Sequence, residues 1–414
     1  MLKKIKSDFS KNLIILLIGA SLSQLIPILA SIILTRMYTP EDFGIFALFT
    51  TITIIISSIS TGRYELAIML PKKNIDALYI FVVSIMIVIL VSFILFVIVI
   101  FFGENILNLF ERIDLFIFLY LIPIMVLIMG FYQSILLLLN RNKSYKNISQ
   151  SKIVHQLFMA LFQIILGLLG FINSLSLVIG SFFGQLFAVI LLMKNNIFNF
   201  KYIKKLNKER LKLNISRYSN FPKYSMPMAF LNSLSVNIFI YILPVLFNTS
   251  LLGFYFLAQK FVSAPLSLIV NSFGSIFYQE ISKRENKLDL YLISFFSNLL
   301  LGSLILSPIF FYGQEIFAYI FGEEWSEAGN IAEIICPLVL SSFAVGSVSN
   351  IFSAIQKNEI VFYWQLIYLI IFSILIYYLQ YDFIFMLEVT TYFGSIMYFI
   401  LAIIGYKLLI KMDR

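Results

Sequence analysis

Apolar residues along this chain recur in runs of roughly twenty, the length at which an α-helix rising about 1.5 Å per residue crosses about 30 Å of hydrocarbon. Marking those runs predicts twelve spans, over approximately 12–35, 44–70, 77–102, 115–139, 153–171, 175–193, 226–247, 252–280, 290–312, 331–355, 361–379 and 384–405. The fifth, sixth and eleventh are the shortest. One long polar stretch divides the spans six and six, so the expected organisation is a six-helix lobe over 1–193, a basic linker over 194–225 and a second six-helix lobe over 226–414. The linker's KYIKKLNKERLKL has two readings. It is a solvated anchor between lobes, the simpler one, or a short helix on the lipid surface, where basic residues gain from anionic headgroups.

Polar positions inside the spans follow helical spacing. Span eight carries Lys260, Ser263, Ser267, Asn271, Gly274 and Tyr278 at intervals of three or four, which is one helix face. In lipid such a face turns to protein or to water. Lys260 lies seven residues after Gly253, roughly 10 Å along the helix; it faces a lumen or snorkels to the outer interface. Span two has Thr50, Thr53, Ser57 and Ser60 on one face, with Arg63 near its edge. Glu65, two residues further on, points elsewhere and does not pair with Arg63 within a continuous helix. It is open between a structural partner of another helix and a coupling site. Span one carries Ser21, Gln24, Ser31 and Thr35, with Pro27 interrupting its backbone ladder. Span seven has Asn232, Ser233 and Asn237. Small polar residues also hold membrane helices together, and each of these taken alone reads that way. The case for a polar lining rests on the stripes falling in spans one, two, seven and eight, equivalent pairs of the two lobes. Gln133, Gln163 and Gln185 stay ambiguous, and His155 reads as structural.

The halves match weakly at a steady offset. ILTRMYTPEDFGIFAL (33–48) aligns with ILPVLFNTSLLGFYFL (242–257) at offset 209, GENILNLF (103–110) with GQEIFAYI (313–320) at offset 210, and Pro123 falls near Pro337. The first span of each half leaves the membrane in the same direction, so the repeats are parallel. The offset bears on Thr61-Gly62-Arg63-Tyr64-Glu65, a charge pair that is either the first turn of a loop or an intramembrane site. Arg63 falls on Ser272, inside an uninterrupted eighth span, so by analogy the second span runs to about Leu70 and Arg63 lies within the bilayer.

Composition agrees with a membrane chain. Its 414 residues are 60% hydrophobic and 12% charged, with a mean hydropathy of +0.95, which overrides the two or three globular domains that length alone suggests. The net charge of +9 is a topology signal rather than a nucleic-acid footprint. With the N-terminus cytoplasmic, 26 of the 30 Lys/Arg residues fall on inner segments and only Arg36 and Arg112 on outer loops. Both termini are therefore expected inside. Arg63 and Lys260 are the two cations left within spans. MLKKIKSDFSK resembles the charged region of a signal peptide, but the apolar run after it is long and lacks a small-residue cleavage site, so it reads as an uncleaved first span. The single cysteine, Cys336, excludes a disulfide framework and a CxxC site, and one histidine without a ligand cluster argues against metal chemistry. No cofactor is implied. The enzyme reading is weak: no outer loop is long enough for a catalytic domain, and paired carboxylates, a nucleophile with its base, or a Gly-rich phosphate loop are missing from suitable contexts.

Five segments then carry a resemblance over nearly the whole chain. ILTRMYTPEDFGIFALF, TGRYELAIMLPKK, FPKYSMPMAFLNSLS, GFYFLAQKFVSAPLSLI and FGEEWSEAGN resemble those of Wzx-type O-antigen and capsule flippases, the polysaccharide-exporter branch of the multidrug/oligosaccharidyl-lipid/polysaccharide (MOP) superfamily. The resemblance implies an all-α integral membrane fold, twelve transmembrane helices in two six-helix lobes around a central cationic cavity. It also implies transfer of undecaprenyl-diphosphate-linked oligosaccharide repeat units from the inner to the outer leaflet of the bacterial cytoplasmic membrane. Arg63 and Glu65 belong to its TGRYELAI motif, and Gln259 and Lys260 to an LAQ-basic motif. There lysine stands where arginine is expected, keeping the charge without bidentate phosphate recognition. On this reading Arg63, Lys260 and Arg36 hold the diphosphate in succession, while Gln24, Asn232, Asn237, Gln259 and Asn271 meet sugar. Glu65 is the coupling candidate, for a proton or sodium ion. A polysaccharide polymerase and a chain-length regulator are the implied protein partners; membrane lipids surround the chain, and no nucleic acid is involved. Two alternatives stand beside it. A drug or metabolite antiporter of the same superfamily would prefer a carboxylate in span one, which has none. A membrane glycosyltransferase or polymerase would want a long outer loop rich in Arg, His or carboxylates. Neighbouring sugar-nucleotide and glycosyltransferase genes would favour the flippase.

Overall fold

The computed structural model describes residues 2–109, 116–194, 207–281, 287–355 and 357–413; the side chains of 2–17, 106–109, 116, 268, 271–276, 278–280, 358 and 413 lie outside that description. Among the described residues the chain is helical and without strands. Hydrocarbon offers no partner for a free N–H or C=O, and a helix satisfies both within one segment.

The order is α1 (Leu2–Leu34), α2 (Pro40–Ser60), α3 (Tyr64–Ala67), α4 (Asn74–Leu109), α5 (Phe116–Arg141), α6 (Tyr145–Leu168), α7 (Ser174–Lys194) and α8 (Lys208–Arg217). There follow a π-type turn (Phe221–Ser225), α9 (Met226–Val236), α10 (Ile238–Leu246), α11 (Thr249–Ile281) and α12 (Leu288–Phe321). After a 3-10 turn at Glu323–Trp325 come α13 (Ser326–Val348), α14 (Asn350–Ala354), α15 (Asn358–Leu379) and α16 (Phe383–Asp413). Among the described residues nine helices are long and apolar enough to cross a membrane, ten if the pair Phe221–Val236 and Ile238–Leu246, bent by 51°, is one span. The chain is thus a multi-pass membrane protein.

Two units emerge, Met1–Leu252 and Gly253–Arg414. In the first, α2 packs on α5, α7 and α9, α6 joins α1 to α7, and α4 lies on α5. Tyr64, Ile68, Ile80, Phe81, Leu139, Leu192 and Tyr218 form a core at the end of this unit where α2 stops and α4 starts. In the second, α12 packs on α13, and α16 contacts both α13 and α15. Its core gathers Phe277, Ile281, Tyr291, Val348, Phe352 and Leu401. Tyr312 departs from helical geometry inside α12 (φ −138°, ψ 31°), and Glu333 Oε1 accepts the Gln314 N–H just beyond it at 2.9 Å.

The sequence repeat has counterparts in the helix starts. Thr39 caps α2, its hydroxyl accepting from the Asp42 N–H at 3.3 Å. Asn248, 209 residues later, caps α11 by accepting from the Leu251 N–H at 2.8 Å. Pro27 in α1 falls opposite Val236, next to the break at Asn237 between α9 and α10. Span seven, expected as one helix over 226–247, is therefore two.

The equivalence fails at the other end of these helices. α11 runs unbroken for 33 residues, but α2 stops after 21, because Gly62 (φ 61°) and Arg63 (φ 59°) take left-handed conformations that end an α-helix. The span expected to reach Leu70 ends at Ser60. Its 21 residues cover roughly 32 Å, about the full hydrocarbon thickness, so Arg63 comes at the edge of that span and not within it.

Candidate functional site

The turn that follows α2 is built from its own side chains. A non-glycine residue at left-handed φ costs about 1 kcal/mol, and three interactions hold Arg63 there. Its N–H donates to the Thr61 hydroxyl at 3.2 Å. Its guanidinium donates through Nη1 to the Ser58 carbonyl at 3.4 Å. The same nitrogen lies 3.5 Å from Glu65 Oε1. The Thr61 hydroxyl in turn donates to Glu65 Oε2. Thr61 and Glu65 are buried, whereas the Arg63 side chain keeps 27% of its surface. Arg63 and Glu65, expected on different faces of one helix, thus form an ion pair. The left-handed residue folds the chain back and supplies the approach that helical spacing denies. Gly62, which takes a left-handed φ without a Cβ penalty, is the sequence feature that marks a turn here.

Two further contacts fix the turn. The Tyr64 hydroxyl donates to the Ile215 carbonyl in α8 at 3.0 Å. Arg141, the last residue of α5, reaches back over the segment that follows α3. Its Nη1 donates to the Ile68 carbonyl at 3.0 Å and to Met69 at 3.3 Å, and its Nη2 to the Pro71 carbonyl at 2.6 Å and to Asn74 Oδ1 at 3.2 Å. One planar guanidinium so closes a loop whose carbonyls no helix satisfies. By position in the sequence Arg141 is one of the inner topological charges. Its role depends on where α5 ends in space, and no motif marks it.

The remaining candidates divide by environment. In α2, Thr53, Ser57 and Ser60 are buried. Their hydroxyls donate to the carbonyls of Thr50, Ile54 and Ser57 at 2.8, 2.9 and 2.9 Å. Gln133 of α5 donates to the Ser57 hydroxyl at 3.5 Å. This stripe packs helix on helix. Ser31 in α1 and Thr35 just after it are likewise buried, and their hydroxyls donate to the carbonyls of Ile28 and Ile32. Gln24 is half-buried in α1, and Arg36 is exposed in the turn after it. Asn232 is exposed on α9, and Asn237 occupies the break after it, its amide donating to the Ser233 carbonyl at 2.9 Å. In the second unit Gln259 and Lys260 are half-buried on α11, with Lys260 Nζ 5.8 Å from the centre of the Phe256 ring. The Asn271 side chain lies outside the described residues.

Burial pushes the Glu65 carboxyl above the ordinary 4.5, and the Thr61 hydroxyl and the Arg63 guanidinium offset this only in part. A folded-state value above the unfolded one favours the protonated acid, so this contribution to stability is complete at low pH and lost as pH rises through the raised value. The thermal stability of the chain relative to Glu65→Gln should accordingly fall as pH rises past 4.5. A difference that stays constant from acid to neutral pH would show that Glu65 remains an ordinary carboxylate.

The profile of a family described as "Polysaccharide biosynthesis protein" matches residues 33–330, more than half of the chain. No curated protein sequence matches significantly. Solved structures share the fold. A lipid II flippase MurJ in an inward closed conformation superposes with a TM-score of 0.76 at 13% identity, over 97% of this chain and 90% of that one. The MATE multidrug transporter DinF-BH gives 0.68 at 14% identity, over 97% and 95%. An inward-facing multidrug resistance MATE family transporter of the MOP superfamily gives 0.66 at 13% identity, over 94% of each chain.

Proposed function

We propose, since the chain belongs to the polysaccharide biosynthesis protein family, that it is a flippase carrying undecaprenyl-diphosphate-linked oligosaccharide repeat units across the bacterial cytoplasmic membrane by alternating access. In this proposal the twelve spans form the two lobes 1–193 and 226–414, with both termini and the basic 194–225 segment on the cytoplasmic side. The observation that carries the reading is the Arg63 guanidinium, held at the end of a membrane-length helix on a turn that spends backbone strain to present it, and still partly open.

A diphosphate left unpaired at low dielectric is prohibitively costly. Arg63 offers it charge-assisted, two-pronged hydrogen bonds. Taking the guanidinium from Glu65 leaves a buried carboxyl without its cation, and such a group binds a proton. Substrate entry is thereby coupled to proton uptake at Glu65. Lys260 and then Arg36 receive the diphosphate later in the cycle, and Gln24, Asn232, Asn237, Gln259 and Asn271 contact sugar loosely.

The test is surface-polysaccharide export in cells at matched protein levels. Arg63→Ala should lower export at least about tenfold, the equivalent of about 1.4 kcal/mol of lost phosphate binding. Arg63→Lys should recover part of it and Lys260→Ala should lose less. Normal export from both alanine variants sinks the cation relay. Accumulation of a lipid-linked sugar on the inner leaflet of a deletion strain separates a flippase from a drug antiporter.

A further inference from the structure

We propose that α8 is a docking surface for the anionic headgroups of the bilayer, seated beside the span ends of the first unit. Both ends of this ten-residue helix are fastened to the unit. The Asn207 N–H donates to the Tyr79 hydroxyl at 2.8 Å, and the Ile215 carbonyl, one of the last-turn acceptors a helix leaves free, takes the Tyr64 hydroxyl at 3.0 Å. These contacts set its height. Tyr79 is five residues into α4, roughly 8 Å from the start of that helix. Tyr64 lies four residues beyond the end of α2. α8 therefore lies level with the ends of two membrane-length helices.

Its free face suits that level. Leu211, Asn214 and Tyr218 turn to the protein, with Leu211 and Tyr218 packed in the core around Tyr64. Arg210, Leu213 and Arg217 follow at intervals of three and four, so they share one exposed stripe beside the protein-facing one, and the Arg217 guanidinium lies 5.7 Å from the centre of the Tyr218 ring. Leu213 is 67% exposed between the two arginines. An apolar side chain flanked by guanidinium groups matches a headgroup layer, where the leucine enters the acyl boundary and the arginines meet lipid phosphate. Glu209 in the first turn and Arg217 in the last both favour the helix dipole, so the charge pattern does not oppose the fold. This inference needs only a membrane-spanning chain and stands or falls apart from the transport reading. Its consequence reaches the motif turn, because Tyr64 bonds both the docked helix and, through the chain, Arg63 and Glu65.

The experiment places an environment-sensitive label on Leu213→Cys in the full chain, reconstituted in vesicles of phosphatidylcholine alone or mixed with phosphatidylglycerol. The native Cys336 is buried, and the labelled parent chain reports any reaction there. Lys212→Cys, on the other flank, serves as the second site. The expected result is quenching of the Leu213 label by lipids carrying a headgroup-level nitroxide, stronger with phosphatidylglycerol, weakened by salt and weaker at position 212. Arg210→Gln with Arg217→Gln should lower the docked-to-undocked ratio roughly 30-fold. Equal exposure of both labels to a water-soluble quencher in both vesicle types overturns the proposal in favour of a solvated linker. Protection of the label only when a cytosolic protein fraction is added overturns it in favour of a protein partner.

Discussion

Arg141→Ala should release the segment from Ile68 to Asn74 and lower the stability of the first unit by about 3 kcal/mol. The figure follows from the four acceptors this guanidinium serves. The bonds to the Met69 carbonyl and to Asn74 Oδ1 are exposed, and water replaces them at little cost. Those to the Ile68 and Pro71 carbonyls are partly buried, and losing a charged donor costs about 1.5 kcal/mol for each. Arg141→Lys should recover less than half, because an ammonium on a single stem does not span carbonyls three residues apart as a fork does. The loss is expected to travel along the chain. Ile68, fully buried, anchors the same core as Tyr64, so freeing its carbonyl loosens the turn that holds Arg63. Export should therefore fall in Arg141→Ala even though Arg141 is not placed at the substrate. Thermal unfolding of the purified chain together with export at matched protein levels is the check. Full export with lowered stability would confine Arg141 to a structural role, and unchanged stability would refute the clamp.

Much of the architecture was legible in the residue pattern. Apolar runs and a 3.6-residue period report helices directly, because in lipid few other structures satisfy the backbone. The two N-caps also follow from the alignment, since Thr39 and Asn248 stand at the same offset. The site was harder to read, for physical reasons. Repeat analogy carried α11 over to α2, but a helix end depends on a few backbone dihedrals. Gly62 and Arg63 change those without changing the apolar pattern. On a continuous helix Arg63 and Glu65 point apart, so spacing alone does not reveal the ion pair. The hydroxyl stripe of α2 was legible as a stripe but not as to what it faces. Spacing shows that Thr53, Ser57 and Ser60 share a face, and only packing shows that α5 covers it. Arg141 was invisible for a different reason: three of its four acceptors are backbone carbonyls some seventy residues away, and carbonyls have no sequence signature.

Gly44→Ala should destabilise the first unit by roughly 2–3 kcal/mol, reversing the sign that helix propensity predicts. Gly44 sits in the second turn of α2, where alanine is ordinarily the better helix former by about 1 kcal/mol. A Cβ added here would overlap the carbonyl oxygen of Thr249, with the Thr249 carbonyl carbon and Cγ2 each 2.9 Å away. The obstruction is backbone at the capped first turn of α11, which no side-chain rotation relieves, so α2 and the start of α11 must part. Gly346→Ala is the matched control. It is also helical, and the nearest atom to its added Cβ is Val270 Cγ1 at 3.7 Å, ordinary contact. That variant should be neutral or slightly stabilising. The opposite signs separate close backbone approach from propensity, and thermal unfolding of the two purified variants beside the parent measures it. If Gly44→Ala proves as stable as Gly346→Ala, the starts of α2 and α11 are not in contact, and the correspondence of their caps at offset 209 loses its structural meaning.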